Sequence, residues 1–134
     1  MTSSTSGSPR RRFFGYLAVA AGCAVFSAVY ESFSHGVVSV FMVGLCLVPL
    51  LAGALPELVL WCFSRLDAGG PWRPLVLACA VATLSTGSAL QGVLEIYGTT
   101  NRWVAGYWWV GCALAAVSVL LWLGGMWHRR GASA

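Results

Sequence analysis

The sequence predicts an all-α membrane protein, a bundle of four transmembrane helices made of two similar helical hairpins with both termini in the cytoplasm. Its composition is 58% hydrophobic and only 9% charged, which is too apolar for a water-soluble domain. Four apolar runs are each long enough to cross a hydrocarbon layer about 30 Å thick. Nearly all of the arginines that flank these runs fall on one predicted side of the membrane, and this asymmetry predicts the orientation.

The predicted transmembrane domain covers residues 13–128. Its spans are, in chain order, about 13–31, 36–63, 73–96 and 103–127. Residues 1–12, which are rich in Ser and Thr, are predicted to form a disordered cytoplasmic tail, and 129–134 a cytoplasmic stub. The connections between spans are short, so each hairpin is expected to be antiparallel.

The first span can be interpreted as an export signal that is removed or as a membrane helix held at the cytoplasmic side by three arginines. Arg10, Arg11 and Arg12 precede two phenylalanines, as in a twin-arginine signal, and the residues before Cys23 resemble a lipoprotein cleavage site. The uncharged run nevertheless continues to Tyr30, which exceeds the apolar core of about 7–15 residues in a signal peptide. We therefore expect this segment to be retained as the first transmembrane helix.

The basic residues predict topology rather than nucleic-acid binding. Of the eight arginines, only Arg102 is placed on the outer side by the predicted spans. Cytoplasmic connections carry an excess of basic residues, so both termini are expected inside, and residues 35 and 101 outside. The cytoplasmic arginines are those at positions 10, 11, 12, 65, 73, 129 and 130.

The second span contains a charge at membrane depth and two prolines. Pro49 and Pro56 each lack a backbone donor and are expected to kink the helix. Glu57 lies about 12 Å of helix from Arg65 at 1.5 Å per residue, a depth at which a carboxylate needs a partner, a proton or water. Arg73, at the start of the third span, is the nearest counter-ion, and the alternative is that Glu57 reaches the interface alone.

The candidate polar site lies at the outer ends of the first and third spans. It comprises Glu31, His35, Gln91, Glu95 and Arg102. Glu31 and Glu95 are 64 residues apart, and so are Arg65 and Arg129. This common spacing suggests a duplicated hairpin. Each glutamate faces the negative end of a helix dipole, so we expect the two carboxylates to approach each other above Gln91, and a change of either to Gln to abolish activity without unfolding.

No catalytic, cofactor or metal motif is present, so the protein is predicted not to be an enzyme and to carry no cofactor. The phosphate-binding, dinucleotide-binding and zinc-protease patterns are absent from the sequence. The five cysteines are scattered over the spans, without a C-x-x-C pair, and are interpreted as structural.

Two outer segments, "YESFSHGVVS" and "LQGVLEIYGTTNR", are similar to segments of small, uncharacterised four-span bacterial membrane proteins. The resemblance covers about a fifth of the chain. It implies a multi-pass protein of the cell membrane, and no known activity comes with it.

Three functional hypotheses remain open from the sequence. The leading one is a membrane subunit or scaffold that binds a partner subunit, membrane or soluble, or a second copy of itself. The second is binding or permeation of a small cation or polar solute through the outer polar site. The third is a small membrane enzyme or redox component that uses Glu31, His35 and Glu95 as acid–base groups or metal ligands. The lipid bilayer is an expected partner in each, and nucleic acid in none.

Overall fold

The computed structural model describes residues 8–33, 39–63 and 70–132. Over these residues the chain is helical and contains no strand. Three helices are long and apolar enough to cross a bilayer, and they are Pro9–Phe33, Trp72–Ile96 and Arg102–Ala132. The all-α prediction is therefore confirmed for the described residues, together with three helices of membrane-spanning length.

The first and last helices extend further than the predicted spans. Helix α1 covers Pro9–Phe33, so Arg10, Arg11 and Arg12 belong to its first turns and not to the expected disordered tail. Helix α5 covers Ala105–Ala132 and runs into the expected cytoplasmic stub. Arginine and alanine have high helix propensities, which explains why the helices continue where the apolar pattern has ended.

The second segment, residues 40–62, is a broken helix rather than the continuous span expected over 36–63. It consists of helix α2 (Val40–Gly44), a π-helical turn (Pro49–Ala54) and helix α3 (Leu55–Cys62). Its longest uninterrupted apolar piece, Pro49–Cys62, is shorter than a membrane-spanning helix. Four continuous spans are therefore not observed over the described residues.

The two prolines explain the breaks in the second segment. Pro49 has no N–H to donate to the carbonyl of Leu45, and the α-helical pattern stops at Leu45, whose own N–H bonds three residues back to Met42. Before Pro56 the backbone widens, so that the N–H of Leu55 bonds to the carbonyl of Leu50. A π turn relieves the clash between a proline ring and the preceding turn.

Helix α4 (Trp72–Ile96) ends in a glycine turn that starts the return to α5. Gly98 has a φ of 68°, a left-handed conformation that glycine adopts without a steric penalty. Its N–H bonds to Glu95 O at 3.0 Å, and the N–H of Thr99 bonds to Leu94 O at 2.9 Å. This hydrogen-bond pair is a Schellman motif, and it makes α4 and α5 an antiparallel hairpin.

The helices pack mainly with their neighbours in the order α1, second segment, α4, α5. In the most apolar stretches of α1 and α5 only 11% of the residues are buried, against 33% in that of α4. Over the described residues the arrangement is thus a row of helices with α4 near its centre. The expected closed bundle would have covered α1 and α5 more evenly.

Glycines set the closest approaches between neighbouring helices. A Cβ atom on Gly53 would collide with the ring of Tyr16, and one on Gly92 would come within 3.2 Å of the backbone nitrogen of Met42. Small residues let helix backbones approach closely where no hydrophobic effect drives association. These contacts fix how deeply the second segment lies between α1 and α4.

The carboxy-terminal half of α5 extends past the first turn of α4. The Ser118 hydroxyl donates to the carbonyl of Arg73, the second residue of α4, at 3.4 Å. Residues 119–132 continue beyond this level for about 21 Å at 1.5 Å per residue. Leu120 and Trp127 in this extension are 64% and 78% exposed. The last helix of the second hairpin, α5, is therefore long and continuous, whereas the second segment, which is the matching part of the first hairpin, is broken.

Candidate functional site

A buried ion-pair cluster joins α1, α3 and α4 near the first turns of α1 and α4. Glu57 is fully buried and lies between two arginines of different helices. Arg73 Nη2 donates to Glu57 Oε1 at 2.8 Å, and Arg12 Nε donates to Glu57 Oε2 at 2.9 Å. The side chains of Arg73 and Arg12 are only 4% and 16% exposed. The Glu57–Arg73 contact expected from the sequence is present, and Arg12 is an addition.

Each carboxylate oxygen of Glu57 is used by a different helix. Charge-assisted hydrogen bonds of this kind contribute roughly 1.5–3 kcal/mol each, and removing one partner of a buried pair costs more, because a charge is left uncompensated. The cluster holds α1 and α4 in fixed register against α3. Its chemistry is that of a structural clamp, because both oxygens of the acid are committed.

Sequence reasoning missed Arg12 because the run of three arginines had a sufficient explanation in topology. The available signal was the geometry of the first hairpin. The antiparallel pairing of α1 with the second segment places a residue near position 12 opposite one near position 57. The same register places Tyr16 against Gly53 and Ser27 against Met42.

Two serine hydrogen bonds join the helices near the last turn of α1 and the last turn of α4. Ser27 Oγ donates to the carbonyl of Met42 at 2.7 Å, and Ser39 Oγ donates to Glu95 Oε2 at 2.5 Å. Both serines are buried. The first contact joins α1 to α2, and the second joins α4 to the residue that precedes α2.

The residues of the expected outer site are only partly brought together. Glu95 is exposed and bonds to Ser39, a partner that the sequence analysis did not include. Within the described part of the chain, no ion pair joins Glu95 to Arg102, which is exposed at the start of a short 3₁₀ helix. His35 lies outside the described residues, and Gln91 is half-buried on α4.

The expected approach of Glu31 and Glu95 stays a prediction. Both α1 and α4 contact Met42 about one turn before these glutamates, through Ser27 and Gly92. The start of the second segment therefore stands between α1 and α4 at that level. Glu31 itself is half-buried.

An open groove of about 340 Å³ lies between the middle of α1 and the middle of α4. Gly22 and Cys23 form part of its α1 wall, Ser85 part of its α4 wall, and Leu45 part of its floor. A Cβ atom added to Gly22 would meet no atom within 4 Å. This glycine is thus a small residue on a helix surface that internal packing does not use.

The described residues offer no cluster of three or more His, Cys, Asp or Glu side chains that would hold a metal ion. All five cysteines lie in the described residues, and none of them is in a disulfide. No protein-family model, curated protein or solved structure matches this chain. The resemblance to four-span bacterial proteins accordingly remains an expectation from the sequence.

Proposed function

We propose that this protein is an integral subunit of the cell membrane that binds a partner protein laterally, within the bilayer. The open groove between α1 and α4 is the observation that carries this proposal. It is lined mainly by apolar side chains, lies at the middle of two membrane-length helices, and exposes the backbone of α1 at Gly22. Transmembrane helices associate at such small residues.

The use of the polar side chains supports a scaffold over a permeation pathway. Glu57 is enclosed by Arg12 and Arg73, and Glu95 is bonded to Ser39. A pathway for ions needs polar groups that line a continuous cavity. The polar contacts found here instead join neighbouring helices and hold them in register.

In this proposal the second segment also crosses the membrane, which brings the number of crossings to four. Residues 40–62 would span about 34 Å if helical throughout at 1.5 Å per residue, and the hydrocarbon layer is about 30 Å thick. The broken backbone is tolerated because α1 and α4 cover it on two sides. The arginines around Glu57 then mark the cytoplasmic side, so both termini lie inside.

The topology can be tested with reporter fusions. A periplasmic-active reporter inserted at Thr100 should be active, and the same reporter fused after Ala132 should be inactive, because an even number of crossings returns the chain to the cytoplasm. A cytoplasmic reporter at the two positions should give the opposite pattern. Activity of the periplasmic reporter after Ala132 would exclude four crossings with the amino terminus inside.

Partner binding can be tested with a photo-crosslinking side chain at Val19, on the α1 wall of the groove. We expect covalent adducts with a membrane protein after irradiation of intact cells, and we expect Gly22→Leu to suppress them at least tenfold by filling the groove. Gly124→Leu is the matched control, because Gly124 also has no atom within 4 Å of an added Cβ and lies on α5. It should leave the adducts unchanged.

Two results would contradict the scaffold proposal. One is a set of adducts that is insensitive to Gly22→Leu. The other is cation or proton flux through vesicles that contain the purified protein alone, which would favour the permeation hypothesis. Flux that is lost in Glu95→Gln would place that activity at the outer ends of the helices.

A further inference from the structure

Arg10 lies beside the ion-pair cluster, in a corner formed by Phe14 of α1 and Trp61 of α3. Its guanidinium carbon is 5.9 Å from the ring centroid of Trp61 and 6.0 Å from that of Phe14. The rings of Trp61 and Phe14 lie 6.4 Å apart. The guanidinium group is thus held against two aromatic faces.

Contact with aromatic faces leaves the hydrogen-bonding edge of a guanidinium available. Arg has five N–H donors in one plane, and this fork matches phosphate oxygens while the face of the group contacts an aromatic ring. Among the described residues, none accepts a hydrogen bond from Arg10. The nearby carboxylate, Glu57, has both oxygens occupied by Arg12 and Arg73.

The local charge favours an anion at this corner. Arg10 and Arg11 lie in the first turn of α1, at the positive end of the helix dipole, where added cations are disfavoured and anions are stabilised. Arg11 is exposed. An anion bound at the corner would offset this repulsion.

The aromatic side chains indicate that the anion carries an apolar tail. Trp61 is 43% exposed and Phe14 is 50% exposed, and both lie beside the arginine. Trp at the membrane interface places its ring at the level of the lipid headgroups. A phosphate with acyl chains would use the arginine fork and these apolar faces together, whereas free inorganic phosphate would use the fork alone.

We propose that Arg10, flanked by Trp61 and Phe14, binds the phosphate of an anionic phospholipid. The inference requires only that α1 is embedded in a bilayer, so it is independent of the partner-binding proposal. A basic side chain near an anionic lipid surface contributes about 1 kcal/mol, which corresponds to an approximately fivefold preference for anionic over zwitterionic lipid.

The test is lipid retention by the full-length protein in detergent, measured by native mass spectrometry. Phosphatidylglycerol and phosphatidylcholine are added separately, and inorganic phosphate is added at equal concentration to a phosphatidylglycerol sample as a competitor. We expect phosphatidylglycerol to be retained about fivefold more than phosphatidylcholine, and Arg10→Gln to remove the preference. Arg102→Gln is the control. It removes an exposed arginine that lies next to Trp103 just before α5, and it should preserve the preference for phosphatidylglycerol.

Three outcomes would overturn the proposal. Equal retention of the two lipids would show that the corner does not select charge. Binding of inorganic phosphate that displaces phosphatidylglycerol at equal concentration would identify free phosphate as the ligand. Full retention by Arg10→Lys would show that a positive charge suffices, without the planar fork held against the rings.

Discussion

Replacing Glu57 with glutamine is expected to lower the free energy of unfolding by about 3–5 kcal/mol, because the buried Arg73 and the half-buried Arg12 lose their common counter-ion. The loss should be measurable as a large fall in the thermal midpoint of the protein in detergent. Glu57 is fully buried between Arg12 and Arg73. Water therefore cannot reach this position to solvate the two guanidinium groups unless the helix contacts open.

A double-mutant cycle separates the ion-pair cluster from the general effects of substitution. In the Glu57→Gln background, Arg73→Gln should add less loss than it does alone, because the ion pair between these two residues is already absent. Arg102→Gln is the control, since Arg102 is exposed and should change stability only slightly in either background. Strictly additive losses for Glu57→Gln and Arg73→Gln would reject the pairing.

Gly53→Ala is expected to destabilise the protein by about 1–3 kcal/mol, because the added methyl group overpacks the contact with the Tyr16 ring. In an unobstructed helix the same change would stabilise by up to about 1 kcal/mol. Gly15→Ala provides that comparison, because Gly15 has no atom within 4 Å of an added Cβ. Both variants can be compared by their denaturation midpoints.

The steric origin of the Gly53 effect can be tested by removing the ring. In a Tyr16→Ala background, which is itself destabilised by the lost packing, Gly53→Ala should become neutral or stabilising. A loss of the same size in both backgrounds would mean that the glycine is needed for the π-helical backbone rather than for the approach of α1.

The parts of the fold that depend on local sequence were predicted well. The apolar runs of α1, α4 and α5 identify three membrane-length helices, because length and hydropathy suffice for that inference. Pro49 and Pro56 predicted a disturbed second segment. The form of the disturbance, a turn followed by a π helix, depends on packing against α1 and α4, to which single-residue propensities are insensitive.

Side-chain partners were predicted only where an unpaired group would be costly. Glu57 required a counter-ion, and Arg73 was the nearest one along the chain. Ser39 was missed as the partner of Glu95. A serine carries no charge, so leaving it without a particular partner costs too little free energy for the sequence to indicate one. The groove was also beyond prediction, because it depends on how far apart the second segment holds α1 and α4.

The ion-pair cluster has a consequence for the order in which the chain assembles in the membrane. Arg12 precedes Glu57 by 45 residues and Arg73 follows it by 16. Synthesis from the amino terminus therefore produces Arg12 first, Glu57 next and Arg73 last. Until Arg73 has been synthesised, Arg12 is the only one of the two cluster arginines that can neutralise the acid, so the ion pair between α1 and α3 can form before α4 joins the cluster.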